Sequence, residues 1–294
     1  MRWTPGGNRD NIEDRRGQRG GGGGGFGRPA GRLGIGGFLL LLVLSFVFKK
    51  DFFALVGAGG DGGSLPVGEA PAGPPPADDK MADFVSAVFN DVQGTWEQQF
   101  AEAGQPYQTA KLVLFTDSTR SGCGIGEAAM GPFYCPADQK AYIDLGFYQE
   151  LRDRFGAPGD FAQAYVLAHE MGHHIQKVLG IDQKVREMQE ENPRKANLYS
   201  VRMELQADCL AGVWGHVASK RRDTSEGIVL DPGDVQEALT AAAAIGDDRI
   251  QQQAGAAVNP ETWTHGASEQ RVEWFRVGME TGDPDKCDTF AATR

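Results

Sequence analysis

Two histidines four residues apart, with a glutamate beside the first, occur at His169-Glu170-Met171-Gly172-His173, the string H-E-x-x-H. Four residues turn an α-helix by about 400°, so the two imidazoles stand about 40° apart around the axis and about 6 Å apart along it, where both can reach one ion. Glu170 is offset by one position and can meet a metal-bound water without being forced to ligate. Two neutral nitrogens, an open coordination position and a carboxylate that takes a proton from water are what zinc-assisted hydrolysis requires. The expectation is one Zn2+ per chain, with His169 and His173 as ligands and Glu170 as general base. The bland reading, two core histidines satisfied by hydrogen bonds, is weaker because the string sits in an apolar segment with helix start and stop signals. Pro158-Gly159-Asp160 opens it, with Asp160 expected as N-cap, and Gly180 closes it.

A third protein ligand has to come from elsewhere in the chain. In the helical pattern from Ser200 to His216, Glu204 and Asp208 lie at i and i+4 on one face, and the small residues Ala211 and Gly212 follow on the next turn. Such a face lets another helix approach closely, and carboxylates buried there need a partner or a metal. Glu204 is therefore expected as third ligand and Asp208 as acceptor for the free N–H of His169 or His173. Two solvated surface acids are the alternative. His174 points about 100° away from His173 on a helix and reads as structural, as does His216.

The elements that must position these groups can be read from periodicity. Apolar residues from Met81 to Phe100 recur at three- and four-residue spacing, with Asp78 or Asp79 as N-cap and Gly104 as stop, which predicts an amphipathic helix. Lys111–Thr116 and Ala141–Phe147 read as short strands joined by a Gly-rich loop, and most of the chain after Phe147 reads as helix. The expected class is α+β, a small sheet beside the H-E-x-x-H helix with a mostly helical C-terminal half.

The chain is expected to carry an N-terminal extension. Residues 1–32 hold seven arginines and a glycine tract, a composition that reads as a disordered arm. Residues 33–56 read as a transmembrane anchor: Leu33–Phe48 is an uncharged run of sixteen residues, covering about 24 Å of a hydrocarbon core about 30 Å thick. Residues 57–77 read as a Gly/Pro linker, and residues 78–294 as the folded domain. The upstream arginines favour a cytoplasmic N-terminus, which gives a single-pass protein of the cytoplasmic membrane whose domain faces the extracytoplasmic side. All four cysteines, Cys123, Cys135, Cys209 and Cys287, follow the apolar run, where oxidation is expected. Of the three pairings available, Cys123 with Cys135 and Cys209 with Cys287 is favoured, with four free thiols as the alternative. A formal net charge of -11 argues against nucleic acid as a partner.

H-E-M-G-H-H together with E-L-Q-A-D resembles the zincin metallopeptidases of the gluzincin type, whose third ligand is a Glu followed four residues later by Asp. More closely, MRW with N-I-E-D-R-R, CGIG with GPFYCPADQKAYIDLGF, and THGASEQRVEWF resemble the bacterial neutral zinc metallopeptidase family, over nearly the whole chain except its Gly/Pro tracts. The resemblance implies a zincin-like fold and hydrolysis of peptide or protein substrates. It also implies a role for His265, in a loop before a helix that Ser268 would cap: gluzincins often carry a histidine there that donates to a developing oxyanion. The strand near Ala141–Phe147 is expected, by the same likeness, as an edge for an extended substrate. Two other functions remain open at this point: a zinc-stabilised binding or scaffold module without turnover, and a non-peptide amidase acting on the cell envelope.

Overall fold

The apolar stripe from Met81 to Phe100 forms helix α1 (Lys80–Glu102) in the computed structural model, which describes residues 1–5, 8–17, 79–255 and 257–291. The Asp79 carboxylate caps α1 by accepting from the Ala82 amide at 3.0 Å. Four strands make one sheet in the order β1 (Ile12–Asp14), β2 (Lys111–Phe115), β6 (Lys140–Asp144) and β5 (Phe133–Cys135). β1, β2 and β6 are parallel, while β5 runs antiparallel to β6. β3 (Ser118–Ser121) and β4 (Gly124–Glu127) form a separate hairpin.

Alternation along the strands divides the side chains between the two faces. Leu112, Leu114, Ala141 and Ile143 pack into the main core with α1, whereas Val113, Phe115 and Tyr142 meet Cys135 on the other side. Phe133 stacks on Tyr142 with ring centroids 4.7 Å apart. β6 lies between β2 and β5, so the expectation of an edge strand at Ala141–Phe147 is corrected. The outer strand on that side is β5, and Phe147 already begins helix α2 (Phe147–Asp153).

After α2 the described chain is helical. α3 (Asp160–Val178) carries the H-E-x-x-H residues, and α4 (Ile181–Glu191) follows it. α5 (Ala196–Lys220), α6 (Asp234–Ala244), α7 (Asp247–Gln253) and α8 (Ser268–Thr281) complete the fold, with a short turn at Pro284–Cys287. The start of α3 differs from expectation. Its N-cap residue is Gly159, and the cap is supplied from α6, where the Glu237 carboxylate accepts from the Phe161 amide at 3.1 Å. At the far end Gly180 takes the left-handed conformation, φ 69°.

Two close helix approaches fix the interior. A Cβ on Gly172 of α3 would stand 2.9 Å from the backbone of Ala207 on α5, so this glycine sets how near α5 can lie. On the other side of α5, a Cβ on Gly278 of α8 would come 1.9 Å from the carbonyl of Cys209. α5 is thus clamped between α3 and α8. The cysteines pair as Cys123–Cys135 and Cys209–Cys287, the second tying α5 to the turn after α8.

The expected disordered arm over residues 1–32 is corrected for its first part. Within it β1 pairs in register with β2 from Ile12↔Leu112 to Asp14↔Leu114. Arg2 forms a backbone bridge with Val229, and Trp3 packs edge-on against Phe84 at 5.6 Å. The arginines there are neutralised one by one: Arg9 pairs with Asp83, Arg16 with Asp14 and Asp79, and Arg15 with Glu13, which also holds Lys140 at 2.7 Å. Averaged composition hid this, because a segment rich in ordered ion pairs adjoins a glycine tract.

Residues 33–56 and 57–77, read as anchor and linker, lie outside the described residues, among which no helix is long and apolar enough to cross a membrane. The pairing of β1 with β2 nevertheless bears on topology. A chain crossing a bilayer once between residues 17 and 79 would leave these two strands on opposite sides of it. In this sheet residues 12–14 and 111–115 are direct partners.

Candidate metal centre

α3 and α5 meet at Gly172 and Ala207, beside His173 and one turn beyond His169 and Glu204. His169, His173 and Glu204 each bring one ligand atom into a cluster whose members all lie within 4.8 Å of one another. Glu204 Oε2 is 3.1 Å from His169 Nε2, and Glu204 Oε1 is 3.4 Å from His173 Nε2. His173 and Glu204 keep 19% and 18% side-chain exposure against 7% for His169, so the cluster is walled on one side and open to solvent on the other.

Both imidazoles are held through the nitrogen that faces away from Glu204. His169 Nδ1–H donates to Asp208 Oδ1 at 2.8 Å. His173 Nδ1–H donates to Gln176 Oε1 at 2.9 Å. With each Nδ1 committed as a donor, each Nε2 lone pair is left for a metal. The donor set of two imidazole nitrogens and one carboxylate, with one side open, fits zinc, and a preorganised tautomer on both rings is what a resident metal needs.

The electrostatics agree with a cationic occupant. Burial opposes charge on His169, but the carboxylates of Asp208 and Glu204 outweigh it and raise the ring's pKa to about 10. The same balance, with Glu204 the main carboxylate, raises His173. Burial would raise Glu204, yet His173 and His169 hold it well below its ordinary value. Positive charge is therefore wanted at this point, and a metal would displace the protons that otherwise supply it. Glu170 is the exception among these acids. Its buried carboxyl is pushed up, chiefly by loss of solvent, with the two imidazoles opposing. A carboxylate so shifted is better placed to accept and return a proton near neutral pH.

Behind the cluster stand groups that sequence reasoning did not single out. Arg271 of α8, 2% exposed, donates to both oxygens of Asp208, from Nε at 2.8 Å and Nη2 at 2.9 Å. The Tyr165 hydroxyl donates to Asp208 Oδ1 as well. Despite burial, Arg271 and His169 hold the Asp208 pKa down at about 2, so it is a full anion. The available signal was Arg271 itself, a charge on the same stripe as Phe275 and Gly278. Gln176, one turn beyond His173, and Gln206 on α5 were also missed.

His265 lies on the α7–α8 loop with 51% side-chain exposure and is not among the three clustered donors. Its Nδ1 is 3.1 Å from Asp247 Oδ1. The other oxygen of Asp247 accepts from the amides of Thr264, His265 and Gly266 at 2.8, 2.6 and 3.0 Å, so one carboxylate shapes the whole loop. Burial lowers the His265 pKa, but the hydrogen bond to Asp247 and the charges of Glu204 and Asp247 outweigh it and raise the ring above its ordinary value. His174 is buried, bonded to the Tyr134 hydroxyl at 2.9 Å and the Gln108 carbonyl at 2.6 Å, and His216 bonds the Met279 carbonyl at 2.8 Å. A second acidic group, Asp160, Asp234 and Glu237, is neutralised in part by the Met1 ammonium, 3.1 Å from Asp160 and 3.2 Å from Asp234.

Comparison with known proteins follows the same lines. The chain is 47% identical over 296 residues to the uncharacterized protein YpfJ of Escherichia coli (strain K12), covering 99% of both chains. It is 46% identical over 213 residues to the uncharacterized protein Rv2575 of Mycobacterium tuberculosis (strain ATCC 25618 / H37Rv), covering 71% of this chain and 70% of that one. No solved structure matches. A family model described as "Putative neutral zinc metallopeptidase" matches residues 1–290, and the chain belongs to that family.

Proposed function

We propose that this protein is a zinc-dependent peptidase that hydrolyses peptide bonds with Glu170 as general base, with one zinc held by His169, His173 and Glu204. The observation that carries this reading is the convergence of two imidazole Nε2 atoms on one carboxylate, each ring committed through Nδ1 to a separate acceptor, with a buried glutamate beside them. His169, His173 and Glu204 would hold the zinc, whose chemistry when bound would be to lower the pKa of a water and to polarise the scissile carbonyl. Glu170 takes the proton from that water and returns it to the leaving amine. Asp208 and Gln176 keep the two rings in the ligating tautomer throughout. His265, oriented by Asp247, donates a hydrogen bond to the developing oxyanion. An extended substrate pairs its backbone with β5, the outer strand of the sheet on this side.

Two disulfides suit an oxidising compartment and support the reading that the folded unit lies outside the cytoplasmic membrane, attached through the apolar run at residues 33–56. In this proposal residues 1–17 share the compartment of residues 79–291.

Glu170→Gln tests the assignment. The variant keeps its zinc while turnover of a peptide library collapses; undiminished turnover refutes the general-base role. Zinc-loaded wild type that cleaves no peptide points to the scaffold reading, and cleavage of peptidoglycan but not protein points to the amidase.

A further inference from the structure

The bond that orients His173 is the first link of a buried chain leading to the second disulfide. Gln176 Oε1 accepts from His173 Nδ1–H at 2.9 Å. The Gln176 amide nitrogen then donates twice, to the Met203 carbonyl at 2.7 Å and to Gln206 Oε1 at 3.1 Å. Gln206 Nε2 in turn donates to the Cys287 carbonyl at 3.0 Å. Both glutamines are buried, and Cys287 is bonded to Cys209, the neighbour of Asp208.

The direction of this chain is dictated at its far end. A backbone carbonyl only accepts, so Gln206 must turn its NH2 toward Cys287 and its oxygen toward Gln176. Gln176, facing that oxygen and the Met203 carbonyl, must turn its own oxygen toward His173. The ring can then satisfy that acceptor only with a proton on Nδ1, which frees Nε2. An amide reversed at either position would set two acceptors or two donors face to face in a buried site, so the relay admits one orientation.

We infer that Gln176 and Gln206 are positioning residues for the metal ligand His173, and that the Cys209–Cys287 disulfide anchors their relay and thereby couples metal affinity to its own redox state. The inference rests on the metal-site reading above. Reduction by a dithiol breaks the S–S bond, delivers two electrons and two protons to the sulfurs and leaves the reductant as a disulfide. The Pro284–Cys287 turn loses its covalent tie to α5, and with it the fixed acceptor for Gln206. The Cys123–Cys135 bridge, at the end of β5, packs on the sheet face away from the main core and shares no hydrogen bond with this relay, so it serves as an internal control.

The test is zinc affinity of the full chain, by competition with a chromogenic chelator. Gln176→Leu weakens zinc by about 10–100-fold, the usual range for loss of a partner to a ligating histidine. Gln206→Leu and the double variant Cys209→Ser/Cys287→Ser each weaken it by about 10-fold, while Cys123→Ser/Cys135→Ser leaves it unchanged. In zinc-loaded protein the Nδ1–H resonance of His173 shifts in Gln206→Leu and that of His169 does not, a split that general loosening of the fold would not give. Gln206→Leu retains both disulfides, so it decides the relay even if the cysteine variant does not fold, and zinc affinity unchanged on reduction of the Cys209–Cys287 bond overturns the coupling. Affinity within twofold of wild type in Gln206→Leu overturns the relay. Wild-type protein that binds no zinc refutes the metal centre itself, a distinct result.

Discussion

Arg271 sits across Asp208 from His169: its guanidinium holds both carboxylate oxygens at 2.8 and 2.9 Å, and its Nη2 comes within 3.3 Å of His169 Nδ1. Asp208 therefore serves a ligand and a buried cation at once. The arginine neutralises an anion that would otherwise lie unpaired in the interior, and it limits how much negative charge Asp208 lends to the imidazole. α8 reaches this point because Gly278 and Gly212 let it close against α5.

Replacing Arg271 by Met leaves Asp208 buried with its charge partner gone. Breaking a buried pair in this way costs about 3–5 kcal/mol of stability. Denaturant unfolding of metal-free protein should show a loss of that size, whereas Arg271→Lys, which keeps the charge but not the two-pronged geometry, should lose less. Equal stability of Arg271→Met and wild type would mean that Asp208 is uncharged or solvated in the folded protein.

His265 and Asp247 give a separate prediction because they act on the substrate side. His265→Ala removes the proposed oxyanion donor, and turnover should fall by about 10²–10³-fold with zinc content unchanged. Asp247→Ala leaves the ring in place but frees the loop that three of its backbone amides hold to the carboxylate, so turnover should also fall, by a smaller factor. Loss of zinc in His265→Ala would instead make this histidine a ligand.

How far these groups were legible in the sequence follows from the range over which each is specified. His169, Glu170 and His173 share one helical turn, so spacing alone relates them. Glu204 and Asp208 were legible because acids on a small-residue face have no comfortable alternative to a partner. Asp247 and His265 lie far apart along the chain, and the same holds for Arg271 and Asp208. Their pairing exists only once helices cross, so no local pattern announces it. Residues 9–17 were misread for the opposite reason. Their charges suggest solvation until Glu13, Asp14, Asp79 and Asp83 are seen to meet them.

The buried His174 supplies a pH prediction. Burial pushes its pKa below 6.5, the hydrogen bond to the Gln108 carbonyl only partly offsetting this. Below pH 6.5 the unfolded chain takes up a proton that the folded protein refuses, so the stability this neutral ring contributes is present above pH 6.5 and is lost as the pH falls toward its folded-state pKa. The slope from one such proton reaches about 1.4 kcal/mol per pH unit. In metal-free protein His169 and His173 have raised folded-state values, so the unfolded chain loses their protons through pH 6.5 while the folded protein keeps them; they add a slope of opposite sign that is common to wild type and His174→Gln. The stability of wild type relative to His174→Gln should thus fall as the pH drops from 7.5 to 5; a difference that stays constant over this range would assign the acid sensitivity to other groups.

The pairing of β1 with β2 makes the topology testable in cells. Asp10 and Lys195 are both exposed, the first in the chain leading into β1 and the second before α5. Single cysteines at these positions should react with a membrane-impermeant maleimide from the same side, since Ile12 and Leu112 are partners in one sheet. Labelling from opposite sides would mean that β1 leaves the sheet in the native protein. Removal of residues 1–17 should then be harmless. If the sheet holds as described, the same truncation exposes the edge of β2 and strips the partners of Asp79, Asp83 and Lys140, so the truncated protein should unfold at a lower denaturant concentration than the full chain.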